Sequence, residues 1–336
     1  MKPDRSSLHP TPNASCGSSD KYAFWDFCAR RHPEPPQTGK MTEAKLKGLV
    51  ANGYGQGHLH RYKPWLRVTK HDYSPVSTVG HLSSAAFGHM HHYRSDPERN
   101  SLVLLYWLGA YDARDQFPIW PWPHPHLGWG LKGQNHSRMP GLLEIARDAG
   151  IAHGVYPGTN VDYVATIDIV STWDTGEGFH FVAHENKPEE IVTHPDPLSR
   201  PKERLELTRR YLNGAKVRQH LVHAEQYPPQ LFVNLDFLRP CLNRERQQQL
   251  RSSLDYNMVV ERCNRWAYQY PLNVVLRESM KYAKSNTDLH TLSHLAIWHQ
   301  DIDHDLRGPL EPWSTLIPGG RALKARLYEI WSGLKA

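Results

Sequence analysis

The sequence has no apolar run long enough to cross a bilayer: the longest, Leu102 to Tyr111, is about half of the roughly 20 residues a spanning helix needs. Residues 1 to 20 lack the apolar stretch of a secretory leader, so a soluble, intracellular protein with no membrane partner is the expectation. Cysteine is sparse. Cys16, Cys28, Cys241 and Cys263 stand far apart with no C-x-x-C pair, which argues against a disulfide framework and against a cysteine-built zinc site. No repeat of fixed period is visible, so a solenoid is excluded. Gly53-Tyr54-Gly55-Gln56-Gly57 is no dinucleotide loop, because no strand precedes it and Pro64 opposes a following helix.

What is present is length, a small basic excess and many histidines. The 336 residues make roughly two domains of about 150 with room for a tail. Forty Lys and Arg against 34 Asp and Glu leave +6, which suits a polyanionic partner. The 22 His invite a metal reading, but no H-E-x-x-H or Cys-His module accompanies the dense groups His89, His91, His92 and His124, His126, and zinc is not expected.

Residues 1–41 are polar and proline-punctuated and read as a flexible tail, with Tyr22 to Phe27 as a local aromatic cluster. Thr42 caps a helix through Asn52. Ser95-Asp96-Pro97-Glu98 opens another, and Asp112 to Pro118 reads as an exposed strand or turn. Trp120 to Trp129 reads as a loop and Gly141 to Ala149 as a short helix. Strands are expected at Tyr163 to Val170 and Phe179 to Asn186, joined by Asp174-Thr175-Gly176-Glu177-Gly178, then a basic helix near Lys202 to Leu212 and a strand at Leu231 to Phe237. Beyond Pro240 the pattern is helical, over Asn243–Leu254, Met258–Tyr268, Leu272–Lys284, Thr287–His299 and Arg321–Leu334. The expected organisation is thus a tail over 1–41, a first domain over 42–240 and a largely helical second domain over 241–336.

Chemistry concentrates on the hairpin. Asp168 lies near the end of its first strand and Glu185-Asn186-Lys187 ends its second; alternation puts Glu185 and Lys187 on one face, with Asp168 alongside. A hard divalent ion takes oxygen ligands, which Asp168, Glu185 and the Asn186 carbonyl can supply for phosphodiester hydrolysis, while Lys187 holds the attacking water or offsets phosphate charge. A solvated strand-end ion pair fits the same triplet. Glu98 has two readings as well: the far side of a capping box, or a further acidic ligand borne by a helix that precedes the sheet.

Taken together, Tyr62-Lys63-Pro64-Trp65-Leu66, Ser95-Asp96-Pro97-Glu98, Asp112-Ala113-Arg114-Asp115-Gln116-Phe117-Pro118, Ile145-Ala146 with Gly150-Ile151-Ala152-His153, Thr166-Ile167-Asp168, Lys187-Pro188 and Glu203-Arg204-Leu205-Glu206 with Arg209-Arg210-Tyr211 occur in the order seen in the TnsA endonucleases of heteromeric transposases. The sequence resembles that family over 42–240. The resemblance implies an α/β restriction-endonuclease-like core of the PD-(D/E)xK type followed by a mostly helical, winged-helix-like domain. It implies Mg²⁺, with Mn²⁺ as a substitute, and cleavage of the 5′ strand ends of transposon DNA. A TnsB-like DDE transposase would handle the 3′ ends, and a TnsC-like AAA+ ATPase would engage the C-terminal domain. By motif, Glu98 and Asp168 match the family's acidic ligands and Lys187 its lysine.

The sequence departs from that pattern in places. Glu185 stands where family members often have Gln, Asp115 replaces a Glu, Gly154 replaces a Pro, and Thr208 occupies the place of a further acid whose role would be absent or pass to Glu203 or Glu206. Basic residues cluster after the hairpin, and Arg200, Lys202, Arg209 and Arg210, with Lys63 in the earlier basic aromatic segment, are candidate phosphate contacts. In the C-terminal part, the apolar helix that follows Asp288 is a helix-turn-helix candidate. The competing readings are a non-catalytic DNA-bridging subunit and a stand-alone restriction or repair nuclease.

Overall fold

The computed structural model describes residues 39–69, 72, 77–134, 137–196, 198–284 and 288–335. Most of the expected tail, with its Tyr22 to Phe27 cluster, lies outside the described residues, as do Asn286 and Thr287. The chain forms two units. The first takes the described residues of Met1–Ser83, His89–Glu98 and Tyr111–His223; the second takes Ser84–Gly88, Arg99–Ala110 and the described residues of Ala224–Ala336. The last division between the units falls at 223/224, and two earlier segments belong to the second unit.

In the first unit α1 (Glu43–Ala51) is capped by Thr42, whose Oγ1 accepts from the Lys45 N–H at 3.1 Å, as the sequence leads one to expect. After it Gly55 adopts φ +72°, and a Cβ there would stand 2.3 Å from Pro118 Cγ, so only glycine lets the loop close on that proline. β1 (Gly80–Ser83) and β2 (Met90–Tyr93) form an antiparallel ribbon, and the first turn of α2 (Asp96–Leu108) follows. The main sheet holds β3 (Asp112–Ile119), β6 (Ala165–Asp174), β7 (Phe179–Asn186) and β8 (Arg218–Val222) in the order β3-β6-β7-β8. Its first three strands are antiparallel and β8 runs parallel to β7, a pairing that needs a crossover; α4 (Glu189–Thr193) and α5 (Arg200–Ala215) supply it.

One sheet face carries Ile167, Phe181 and Ala183 against Leu207, Tyr211 and Leu212 of α5, together with Leu142 and Ala146 of α3 (Leu142–Ala149). Val50, Tyr54, Trp65, Trp120 and Trp122 build a second apolar cluster. The segment from Trp120 to Trp129 is therefore no open loop. It carries β4 (His124–Pro125), paired with β5 (Arg138–Met139), and His124 Nε2 lies 3.0 Å from the Tyr211 hydroxyl.

β3 also differs from the expectation of an exposed strand, since all eight of its residues are buried. Its charges misled the reading: Asp112, Arg114 and Asp115 lie inside because each meets a buried polar partner.

The second unit is helical: α6 (Pro229–Leu238), α7 (Arg244–Arg251), α8 (Leu254–Trp266), α9 (Leu272–Ser279), α10 (Leu289–His299) and α11 (Gly320–Ser332). The expected strand at Leu231 to Phe237 is α6. Pro228 caps it and Pro229 starts it, and Leu231, Leu235 and Leu238 are buried at helical spacing while Val233 and Phe237 are exposed. No strand occurs among the described residues of this unit, so the wing of a winged helix is not seen there. Its core includes the Trp107 indole of α2, which donates to the Trp298 carbonyl at 2.8 Å.

Candidate active site

The turn residues 174–178 fold β6 back on β7, and Ile169 pairs with His184, so Asp168 comes to lie beside Glu185 at the end of the ladder. Lys187 follows immediately, its backbone N–H held by the Val222 carbonyl of β8 at 3.1 Å. Its ammonium stands 3.1 Å from Asp168 Oδ2 and 4.0 Å from Glu185 Oε2. The Asn186 backbone N–H donates to the same Asp168 Oδ2 at 2.8 Å, so Asn186 meets the site through its amide nitrogen.

Glu98 joins from the first turn of α2. Its carboxylate accepts from the Arg94 N–H at 2.9 Å and the Ser95 hydroxyl at 3.3 Å, while Ser95 Oγ accepts from the Glu98 N–H at 3.3 Å. That is the reciprocal cap read from Ser-x-x-Glu, reaching one residue further back. Yet Glu98 also feels the charges of Asp168 and Lys187. The cap is seen directly, and the same geometry leaves the carboxylate within electrostatic reach of Asp168 and Lys187.

Two site residues were missed in the sequence. Gln116, between the β3 residues that pair with Ile169 and Ile167, donates its amide to Glu98 Oε2 at 3.0 Å, and Gln219 of β8 donates to Glu185 Oε1 at 2.8 Å. Gln116 holds a left-handed φ of +48° inside a strand, a conformation that costs on the order of 1 kcal/mol or more for a residue with a Cβ. The available signal was its place in Asp-Ala-Arg-Asp-Gln-Phe-Pro.

Burial pushes Glu98 up to about 7, with the Asp168 carboxylate adding to it and the Arg94 N–H, Lys187 and Ser95 opposing. Burial likewise pushes Glu185 up to about 7, again helped by Asp168 and opposed by Lys187 and Gln219. Lys187 goes the other way from a simple buried amine: burial alone would lower it, but the Asp168 and Glu185 carboxylates raise it above its usual value. Three carboxylates that interact electrostatically with one another and with one ammonium offer oxygen donors of the kind a hard divalent cation takes. Glu98, Asp168 and Glu185 therefore fit such an ion.

The candidate DNA contacts are placed differently. Lys63 is exposed, but its ammonium donates to the Asn52 carbonyl at 2.9 Å. Arg200 binds Glu203 and the His153 carbonyl, and Arg209 and Arg210 share Glu206, whose carboxyl their guanidinium groups hold down at about 2. Lys202 is half-buried. Glu203 and Glu206 are thus engaged on α5 itself, and Thr208 donates to the Arg204 carbonyl at 3.1 Å.

The histidines divide as well. His92 Nδ1 accepts from the Val68 N–H at 3.0 Å and His126 Nε2 meets the Ala215 carbonyl at 3.1 Å, both structural contacts. His89 and His91, by contrast, converge with Asp115.

The chain is similar to the transposon Tn7 transposition protein TnsA of Escherichia coli. Identity is 28% over 216 residues, covering 64% of this chain and 69% of that TnsA. No family model matches the chain. Among the described residues, no helix is long and apolar enough to cross a membrane.

Proposed function

We propose that the protein is a TnsA-type, divalent-metal-dependent DNA endonuclease that cleaves the 5′ strand ends of a transposon. The α2-β3-β6-β7-α5-β8 order supports a restriction-endonuclease-like core. The observation that carries the reading is the convergence of Glu98, Asp168, Glu185 and Lys187 from three separated stretches of chain. The similarity to TnsA supports the biological setting: a TnsB-like transposase at the 3′ ends, a TnsC-like ATPase engaging the helical unit, and action on bacterial DNA in the cytoplasm.

Glu98, Asp168 and Glu185 would hold Mg²⁺ or Mn²⁺, whereas the expected Asn186 carbonyl ligand is left out because Asn186 turns its N–H to Asp168. Such an ion would supply Lewis acidity toward the phosphoryl oxygen and toward the attacking water. Lys187, kept protonated by Asp168 and Glu185, places a positive charge where the phosphate becomes more negative. Gln116 and the Arg94 N–H orient Glu98, and Gln219 orients Glu185, so the acids are fixed before substrate arrives. The deciding experiment is cleavage of a transposon-end duplex, with and without the two partners, in Mg²⁺ and in EDTA. Cleavage that persists in EDTA, or no cleavage under any combination, would overturn the reading.

The raised carboxyls make a pH prediction. Glu98 and Glu185 titrate near 7 when folded against an ordinary 4.5, so the folded protein holds more protons than the unfolded chain across that window. Their neutral forms favour the fold below about pH 4.5, and that contribution is lost as pH rises through about 7. The metal-free melting temperature is expected to fall between about pH 5 and pH 8, with Mg²⁺ restoring it at the upper end and not at the lower. Differential scanning calorimetry checks this, and a Mg²⁺ effect equal at both pH values would contradict it.

A further inference from the structure

His89 and His91 are two residues apart around the start of β2 and so project to one side of an extended chain. Asp115 comes to them from β3. All three side chains are buried: His91 is 0% and Asp115 1% exposed, and the His89 side chain is 5% exposed. His91 Nδ1 donates to Asp115 Oδ1 at 2.7 Å, and His89 Nε2 lies 3.5 Å from the same oxygen. The two imidazole rings meet edge to face with centroids 4.3 Å apart, and one donor atom from each of the three residues falls within 4.8 Å of the other two. One imidazole satisfies a carboxylate oxygen; a second converging on it makes the donor set of a metal site.

We infer that His89, His91 and Asp115 bind one Zn²⁺. Two imidazoles and a carboxylate suit this borderline cation, and at bond lengths of about 2.0–2.1 Å the donors of a tetrahedral site stand roughly 3.3 Å apart. The His89 to Asp115 separation of 3.5 Å already matches, and His91 and Asp115 need only part by roughly half an ångström as the ion replaces the proton they share. A water completes the tetrahedron. The shell is otherwise closed: the Tyr62 ring packs edge-on to His89 at 5.5 Å and its hydroxyl donates to the Asp115 carbonyl at 2.8 Å, while the His92 N–H donates to Asp115 Oδ2 at 2.8 Å. The ion ties the start of β2 to β3 one residue before Gln116, which donates to Glu98. It is a structural site, separate from the carboxylate cluster, and it does not depend on the endonuclease reading.

The test is elemental analysis of the full chain, purified without a polyhistidine tag, before and after dialysis against micromolar Zn²⁺. About one zinc per chain is expected in the parent and in Asp168→Ala, and less than about a fifth of that in His89→Ala, His91→Ala and Asp115→Asn. Removing the zinc by chelation should lower the melting temperature by about 5 °C or more, and tetrahedral Co²⁺ absorption should appear on substitution. His89→Gln covers the case in which His91→Ala fails to fold. Zinc-free parent protein after dialysis overturns the inference, as does zinc retained in folded His89→Ala or His89→Gln. Zinc lost only in Asp168→Ala overturns it too, because the ion would then sit among the carboxylates. A protein that binds zinc at this site and cuts no DNA upholds the inference and defeats the proposed function.

Discussion

Asp168→Ala and Lys187→Ala are each expected to lower 5′-strand cleavage at transposon ends by at least about 10²–10³-fold. Asp168 touches both the Lys187 ammonium and the Asn186 N–H, and its charge reaches Glu98 and Glu185, so its loss removes the centre of the arrangement. Lys187→Ala removes the only ammonium facing that cluster among the described contacts. The two variants should differ in their response to metal. Lys187→Ala leaves the acids and should still gain thermal stability from Mg²⁺, whereas Asp168→Ala should gain little. In a reconstituted reaction 3′ joining by the partner transposase should survive in both, converting simple insertions into cointegrates. Undiminished 5′ cleavage in either variant would remove the assignment, and loss of 3′ joining as well would make the protein a scaffold.

Asp112→Ala is expected to cost about 3–5 kcal/mol of stability, a fall in melting temperature of roughly 6–20 °C. Asp112 is completely buried, accepts from the Leu59 N–H at 3.0 Å and lies 3.5 Å from His58 Nδ1. Burial alone would raise its carboxyl, but the hydrogen bond and charge of His58, with His89 and Arg114, hold it down at about 2. The Arg114 guanidinium is equally buried, donating to the Leu127 carbonyl at 2.9 Å and lying over the Phe117 ring at 4.6 Å. Removing the carboxylate strands that cation in an apolar surround, which is where the penalty arises. Chemical denaturation measures it, and a loss below about 1 kcal/mol would show that Arg114 reaches water instead.

Much of the site was legible because it is local. The alternation of Glu185 and Lys187, the turn from Asp174 to Gly178 and the Ser-x-x-Glu cap are written within a few residues of one another, and local geometry carries them into the fold. What was hidden depends on contacts between strands. β3 read as exposed since Asp112, Arg114 and Asp115 carry charge, and their partners His58, Leu127 and His91 are distant in the sequence. The grouping of His89 and His91 with Asp115 escaped for the same reason, with Asp115 lying 24 positions after His91. Gln116 escaped because an amide in a strand has no periodic signature until its neighbour across the sheet is known. The strand misread at Leu231 was a short apolar run whose buried members sit at helical intervals, a distinction that a run of this length barely records.

The interleaved connectivity of the two units limits how the protein can be cut. The helical unit includes Phe87 and Trp107, which meet Tyr106 and Trp298 within it, so a fragment starting at residue 224 or 241 would begin life without part of its own interior. The converse fragment, ending near residue 223, would carry the apolar stretch Leu102 to Leu108 with nothing of residues 224–336 to cover it. Fusions, tags and exchange of segments with relatives therefore belong at the chain ends. A break at the apparent linear border would divide a helix's partners between two polypeptides.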